Sequence, residues 1–237
     1  MDRSAVILQA RMGSRRLPGK VLAQLGSRSI LEHCVSRLTT CGLPIIVATT
    51  DRPEDDAIER EARRLGTQVF RGDEQDVLAR FLAAAHAFDL THIVRATADN
   101  PFVDPDGPRR VLDLGRRVQA DHVVECGLPV GAAVEVVSVD ALRRARTLIT
   151  DPYDREHVTS FVRRDNRFRA LRAVAPGHIR RPGLQLTVDT QEDLDFLRSV
   201  FVIMGVKEQM PTLAAVIRAA EGLLVRAVAT ARTQQGA

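Results

Sequence analysis

The stretch Gln9-Ala-Arg-Met-Gly-Ser-Arg-Arg-Leu-Pro-Gly-Lys20 lies between an apolar run, Ala5-Val-Ile-Leu8, and a run of helical period, Ser29-Ile-Leu-Glu-His-Cys-Val-Ser-Arg-Leu38. A buried strand that opens through a glycine-containing loop toward a helix is the first unit of a parallel, doubly covered sheet. Such a loop sits at the strand's carboxyl end, where open α/β sheets bind ligands. Arg11, Arg15, Arg16 and Lys20 crowd this short loop and repel one another unless an anion lies among them. A polyphosphate is the natural candidate, and a solvated basic surface loop is the alternative.

The loop matches neither common phosphate template. A P-loop has four residues between its glycines and then Lys-Ser/Thr, whereas here five residues separate Gly13 from Gly19 and Val21 follows Lys20. The dinucleotide fingerprint is also absent. Composition nevertheless singles out Lys20. Of 34 Lys and Arg residues, only Lys20 and Lys207 are lysines, so arginine serves almost everywhere that a generic positive charge suffices. A compact ammonium inside a glycine loop suits close contact with a phosphate.

At 237 residues the chain is long enough for one large α/β domain, or for a domain with a small appendage. The expected division is a domain over residues 1–205 and a C-terminal helix and tail over 206–237. Aromatics make up 4% with no Trp, which argues against base-stacking nucleic-acid platforms despite the net charge of +4. Three cysteines without a Cys-x-x-Cys pair argue against a disulfide scaffold or zinc knuckle and suit reduced thiols in the cytoplasm. No apolar run reaches the length of a membrane span.

Strand-like and helix-like patterns alternate through the first half. Strands are expected at Ala5–Gln9, Pro44–Thr49, Thr67–Phe70 and His92–Ala96, with helices at Ser29–Thr39, Glu54–Leu65 and Gln75–Phe88. Further on, short strands at Asp121–Val124 and Val134–Val137 flank the turn-rich Gly127–Gly131 and suggest a hairpin-like excursion from the sheet. A helix is expected from Asp140 and another at Asp154–Arg164, then strands at Phe168–Ala175 and Leu184–Val188. Helices at Gln191–Val202 and Thr212–Val228 precede a polar tail at 232–237.

Asp99 follows the fourth strand. It reads either as a turn aspartate before Pro101 or as a carboxylate facing the basic loop, able to hold Mg²⁺. Asp189 ends a strand and reads as a helix N-cap unless it converges with Asp99. Arg71 and its neighbours follow the third strand and could line a nucleotide edge. Arg155-Glu-His157 could meet an acidic acceptor. No Ser/His/Asp or Cys/His set supports covalent catalysis.

Together these segments resemble the cytidylyltransferases that activate acidic sugars, the CMP-Kdo and CMP-sialate synthetases, and more nearly their spore-coat-polysaccharide-type relatives. The likeness is carried by Leu8–Leu22, Phe70-Arg-Gly-Asp-Glu-Gln-Asp-Val-Leu78, Ile93-Val-Arg-Ala-Thr-Ala-Asp-Asn-Pro101, Val134-Glu-Val136, Arg155-Glu-His-Val-Thr159 and Leu186-Thr-Val-Asp-Thr-Gln-Glu-Asp-Leu194, in the family's order. One departure falls at Gly131-Ala-Ala133, where the relatives often carry Gly-Leu-Asp, and it leaves the acceptor open.

The resemblance implies a Rossmann-like nucleotidyltransferase fold that uses CTP and Mg²⁺. By position, Arg11, Ser14 and Lys20 would contact the triphosphate, with Arg11, Lys20 and Asp99 carrying catalysis. Gln9, Ala10, Met12, Gly13, Arg71, Gly72, Asp76, Thr97 and Ala98 would complete the nucleotide pocket. Asp99 and Asp189 would carry the metal, and Glu135, Arg155, Glu156 and His157 would meet a small acidic acceptor. The region 121–175 would suit a homodimer interface. The alternatives are a glycosyltransferase of similar fold, which commonly has Asp-x-Asp where this chain has Asp99-Asn-Pro101, and a catalytically silent nucleotide-binding subunit. Neither nucleic acid nor membrane is an expected partner.

Overall fold

A computed structural model describes residues 3–205 and 210–235, with only the backbone given after residue 226. Lys207 and the last two residues of the expected tail lie outside the described residues. In chain order the strands are β1 (Ser4–Gln9), β2 (Gln24–Leu25), β3 (Arg28–Ser29), β4 (Ile45–Thr50), β5 (Gln68–Gly72), β6 (His92–Thr97), β7 (His122–Cys126), β8 (Glu135–Ser138) and β9 (Ala170–Val174). The helices are α1 (Ile30–Thr39), α2 (Asp56–Arg64), α3 (Val77–Ala87), α4 (Gly107–Val118), α5 (Val139–Leu148), α6 (Pro152–Glu156), α7 (Ser160–Arg164), α8 (Gln191–Met204) and α9 (Leu213–Gln235).

Seven strands form one sheet in the order β5-β4-β1-β6-β8-β7-β9. The first half is parallel: β1 pairs with both β4 and β6, and β4 with β5. The chain steps outward from β1 to β4 and β5, then crosses back to place β6 on the other side of β1. The reversal opens a crevice at the carboxyl ends of β1 and β6, the place where such sheets bind ligands.

Period-two alternation divides the core between the two faces. Val6 and Leu8 of β1 pack with α1, α4, α8 and α9, while Ala5 and Ile7 pack with α3, α5 and α7. Several helix starts are capped by side chains: Ser29 accepts from the Glu32 N–H, Ser138 from Ala141, and Thr190 forms a capping box with Asp193.

The second half departs from expectation in four places. The residues expected as an excursion lie inside the sheet: β8 is antiparallel to both β6 and β7, so it reverses direction between strands that run the other way. Residues 184–188 form no strand, because their hydrogen bonds go to different partners. Val130 and Leu186 link there, whereas the Val188 N–H donates to the Asp99 carbonyl at 2.9 Å. The single helix expected at Asp154–Arg164 breaks into α6 and α7 at Val158, whose φ is +55°. A β-branched residue in that region costs about 1–3 kcal/mol, so the surroundings must hold it there. Finally, α9 continues to Gln235, through most of the expected tail, and its Leu213, Val216, Ile217 and Ala220 are buried in the core that α8 shares.

The small β2–β3 hairpin, which the sequence reading did not anticipate, turns at Gly26 with φ +68°. A Cβ there would lie 2.4 Å from the Phe201 ring on α8. Gly26→Ala is therefore expected to lose about 1–3 kcal/mol of stability, from a disfavoured backbone and a displaced ring. Urea unfolding would show a lower midpoint at unchanged slope, and a wild-type midpoint would refute the packing described.

Candidate functional site

The loop after β1 folds on its own backbone. The Met12 carbonyl accepts the N–H groups of both Ser14 (2.8 Å) and Gly19 (3.0 Å), which closes residues 12–19 into a ring. Gly19 takes φ +72°, a conformation that only glycine adopts freely, and this aims Lys20 inward. The ring is anchored from below by Asp55, which is 2% exposed. Its Oδ1 accepts the Met12 N–H at 2.7 Å, while Oδ2 accepts the Thr49 hydroxyl at 2.9 Å and the Thr50 N–H at 3.0 Å. Burial pushes the Asp55 carboxyl up, but the hydrogen bonds from Thr50, Met12 and Thr49 outweigh it and hold the group below the usual carboxylate range.

Lys20 is 8% exposed and all three ammonium hydrogens have an acceptor. Nζ donates to Asp99 Oδ2 at 2.8 Å, to Asp189 Oδ1 at 2.9 Å and to the Val188 carbonyl at 2.7 Å. The second oxygens are also occupied: Asp99 Oδ1 accepts the Thr97 hydroxyl at 2.7 Å, and Asp189 Oδ2 pairs with Arg16 at 3.0 Å. Partial burial pushes the Asp189 carboxyl up, but Lys20 and Arg16 more than offset this and hold it low. Asp99 and Asp189 thus converge on one cation although 90 residues separate them in the chain. Gly131 makes the convergence possible. At φ +89° its Cβ position would lie 2.8 Å from both the Asn100 Oδ1 and the Thr187 N, between the two aspartate-bearing segments.

These groups line a cavity of about 910 Å³. It gathers Gln9, Ala10, Arg11, Gly13, Ser14 and Lys20 from β1 and the loop, and Thr97, Ala98 and Asp99 from the end of β6. Asp189 closes one side, and Glu156 and His157 come from α6 and the residue after it. Glu156 pairs with Arg11 at 3.6 Å, and the His157 ring lies 4.1 Å from that of Tyr153.

Six expected site residues lie outside this lining. Met12 serves the ring through its backbone. Arg71 turns away from the cavity to Asp56, Glu59 and the carbonyls of Thr50 and Arg52, a cluster that opposite charge on α2 makes favourable. Gly72 ends β5 beside the Arg80 stem. Asp76 caps α3 and pairs with Arg155 at 3.1 Å, so those two residues neutralise each other. Glu135 faces Arg95, Thr159 and Arg163 beneath the cavity.

The cavity also takes in Arg15 and Arg16 of the cationic loop and Glu74 and Gln75 beside Arg71, together with Arg95 and Tyr153, to which the sequence reading assigned no role. Arg95 left a visible trace, as a charge within an otherwise apolar strand. Asp55 left none, because a buried acceptor for a loop amide looks like any other aspartate near a helix start.

The cytidylyltransferase family model matches residues 5–220. The chain belongs to the cytidylyltransferase family. Its members are CTP-dependent nucleotidyltransferases, and the chain is accordingly an enzyme of that class. It is 35% identical over 208 residues to the spore coat polysaccharide biosynthesis protein SpsF of Bacillus subtilis, which covers 84% of this chain and 86% of that one. A cytidylyltransferase structure from Leptospira borgpetersenii serovar Hardjo-bovis aligns with a TM-score of 0.85 and 28% identity, over 95% of this chain and 96% of the other. A CMP:2-keto-3-deoxy-manno-octonic acid synthetase complexed with CTP shares the fold, with a TM-score of 0.65 and 17% identity over 85% of this chain and 99% of that one.

Asp55 gives the site a pH signature. A carboxylate with a depressed folded pKa stabilises the fold above its unfolded value, 3.8, and that contribution is lost as pH falls through the folded value. Asp55→Ala, which strands the buried N–H groups of Met12 and Thr50, is expected to cost about 1–3 kcal/mol at pH 7. The deficit should hold down to about pH 4 and shrink below it, as protonation removes the same interaction from the wild type. Urea unfolding of both proteins at pH 7, 4 and 3 measures this, and a gap independent of pH would refute it.

Proposed function

We propose that the cavity binds CTP with its triphosphate on the Arg11–Lys20 ring and transfers the cytidylyl group to an acidic sugar or related acid, releasing pyrophosphate. One observation carries the reading: a buried lysine, at the tip of a cationic loop, joined to two carboxylates at the switch point of the sheet. The name of the SpsF relative and the CTP-bound synthetase of the same fold support it, and the former points to polysaccharide or glycoconjugate biosynthesis. The expected glycosyltransferase alternative has no Asp-x-Asp at residues 99–101 to support it.

The chemistry asked of the protein is mostly placement and charge. An acceptor oxygen attacks the α-phosphorus in line, a new P–O bond forms, and the bond to the β-phosphate oxygen breaks with its electrons leaving on pyrophosphate. Arg11, Arg15, Arg16 and Lys20 stand where that negative charge accumulates, and the ring holds them there before the reaction begins.

Asp99 and Asp189 also suit the expected Mg²⁺. Both carboxylates already converge on a single cationic atom, the Lys20 ammonium, and Mg²⁺ is commonly held by one or two carboxylates with phosphate oxygens completing its shell. When bound it supplies neutralisation of phosphate charge. Lys20 would then donate to the triphosphate instead of to the aspartates.

We place the enzyme in the cytoplasm, in keeping with free thiols at Cys34, Cys41 and Cys126. Among the described residues no helix is long and apolar enough to cross a membrane. The reading includes a homodimer, for which the open edge of β9, with Val174 exposed, offers unpaired backbone.

A pyrophosphate-release screen of CTP, UTP, ATP and GTP against acidic sugars and other organic acids, with Mg²⁺, tests the function directly. CTP with an acidic acceptor should release pyrophosphate. Release of free nucleotide from a nucleotide-sugar would reject the reading. Lys20→Ala and Asp99→Asn should each lower turnover by about 10²-fold or more while circular dichroism stays native. Wild-type rates in either variant would remove that residue from the chemistry.

A further inference from the structure

Every arginine and lysine lining the cavity belongs to the Arg11–Lys20 loop except Arg95. Arg95 rises from β6, two residues before Thr97, so both side chains leave the strand on the same face as Gln9 of β1. It lies on the strand that pairs with β8, in register with Glu135, and shares the cavity lining with Glu74, Gln75, Tyr153 and His157. Arg95 therefore reaches the cavity from a different element than the loop cations.

The guanidinium is held but not used up. Its Nη1 lies 3.6 Å from Glu135 Oε2, and its buried Nε–H has no hydrogen-bond partner. Glu135 is itself shared: the Thr159 hydroxyl donates to it at 2.5 Å, Arg163 pairs with it at 3.1 Å and His122 lies 3.5 Å away. Burial pushes the Glu135 carboxyl up, but His122, Arg95 and Thr159 outweigh this and keep it ionised. A buried donor left without an acceptor costs stability unless a ligand supplies the acceptor. An arginine fork, rigid and bidentate, suits a planar carboxylate better than a second phosphate cluster.

We propose that Arg95 is the specificity-determining residue that grips the carboxylate of the acceptor, oriented from behind by Glu135. The assignment rests on the cytidylyl-transfer reading of the cavity for its biological meaning, though its contact can be tested without turnover. It also gives the positive-φ turn at Val158 a role. That turn delivers the Thr159 hydroxyl to Glu135, so the break between α6 and α7 and the aim of Arg95 are set by one carboxylate.

The test has a binding arm and a kinetic arm. In the first, the Arg95 Nε–H resonance of the wild-type protein, identified by its loss in Arg95→Lys, is followed while pyruvate is titrated in. Pyruvamide serves as the uncharged control. A saturable shift with pyruvate alone supports the assignment; no shift, or an equal shift with both probes, overturns it. In the second, Arg95→Met should raise KM for the best acidic acceptor of the pyrophosphate screen by about 30-fold or more, the scale of a lost buried charge contact. KM for CTP should stay within about twofold, which a merely misfolded variant would not show, and Arg95→Lys should recover part of the loss. An equal loss toward CTP and acceptor overturns the proposal. If no acceptor releases pyrophosphate with the wild type, the reading of the cavity fails and the pyruvate titration alone decides Arg95.

Discussion

The contact on which the site depends is the ammonium of Lys20 held between Asp99, Asp189 and the Val188 carbonyl. It joins three segments that the chain visits far apart: the loop after β1, the end of β6 and the residues that lead into α8. Two carboxylates brought this close repel each other strongly, and a third charge of opposite sign makes the arrangement affordable in free energy. The same contact ties the capping box of α8 to the sheet, so the helix that covers one face starts from the site itself.

The direction of the strands explains why the two ends of the cavity differ. On the β5 side all strands run parallel, their carboxyl ends share one edge, and the cationic ring forms there. On the other side β8 runs antiparallel to β6, so the residue opposite Arg95 is the first residue of its strand, Glu135. A parallel strand would have placed a helix-bound terminus at that level. The reversal instead puts a carboxylate under the floor of the cavity, where it meets the turn at Val158 and the side chains of α7.

The first half of the architecture was largely legible because strands such as β1 and β4 are apolar on both faces and the helices read there follow their own period, as in Val77, Leu78, Phe81, Ala84 and Ala85 of α3. The second half was less so. Residues 184–188 alternate like a strand but direct their hydrogen bonds to Val130 and Asp99, partners that no local pattern announces. Val158 sits within a good helical pattern, and the break there coincides with tertiary contacts that the pattern does not announce, the hydrogen bond from Thr159 to Glu135 among them. Around the site, the loop, Asp99 and Asp189 could be read from residue type and order. Arg71, Asp76 and Arg155 could not be placed, because their orientation is decided by which opposite charge lies nearest: Asp56 and Glu59 for Arg71, and Asp76 and Arg155 for each other.

The resting ion cluster has a thermodynamic consequence. An anion that draws Lys20 toward itself leaves two carboxylates uncovered, and a cation that takes the carboxylates leaves an ammonium uncovered. Either ligand alone would break an ion pair and leave its remnant without a partner. When both arrive, the partners are exchanged and no charge is left bare. If the cavity takes a metal cation and a phosphate as proposed, their affinities would be linked, each raising the other by the same factor.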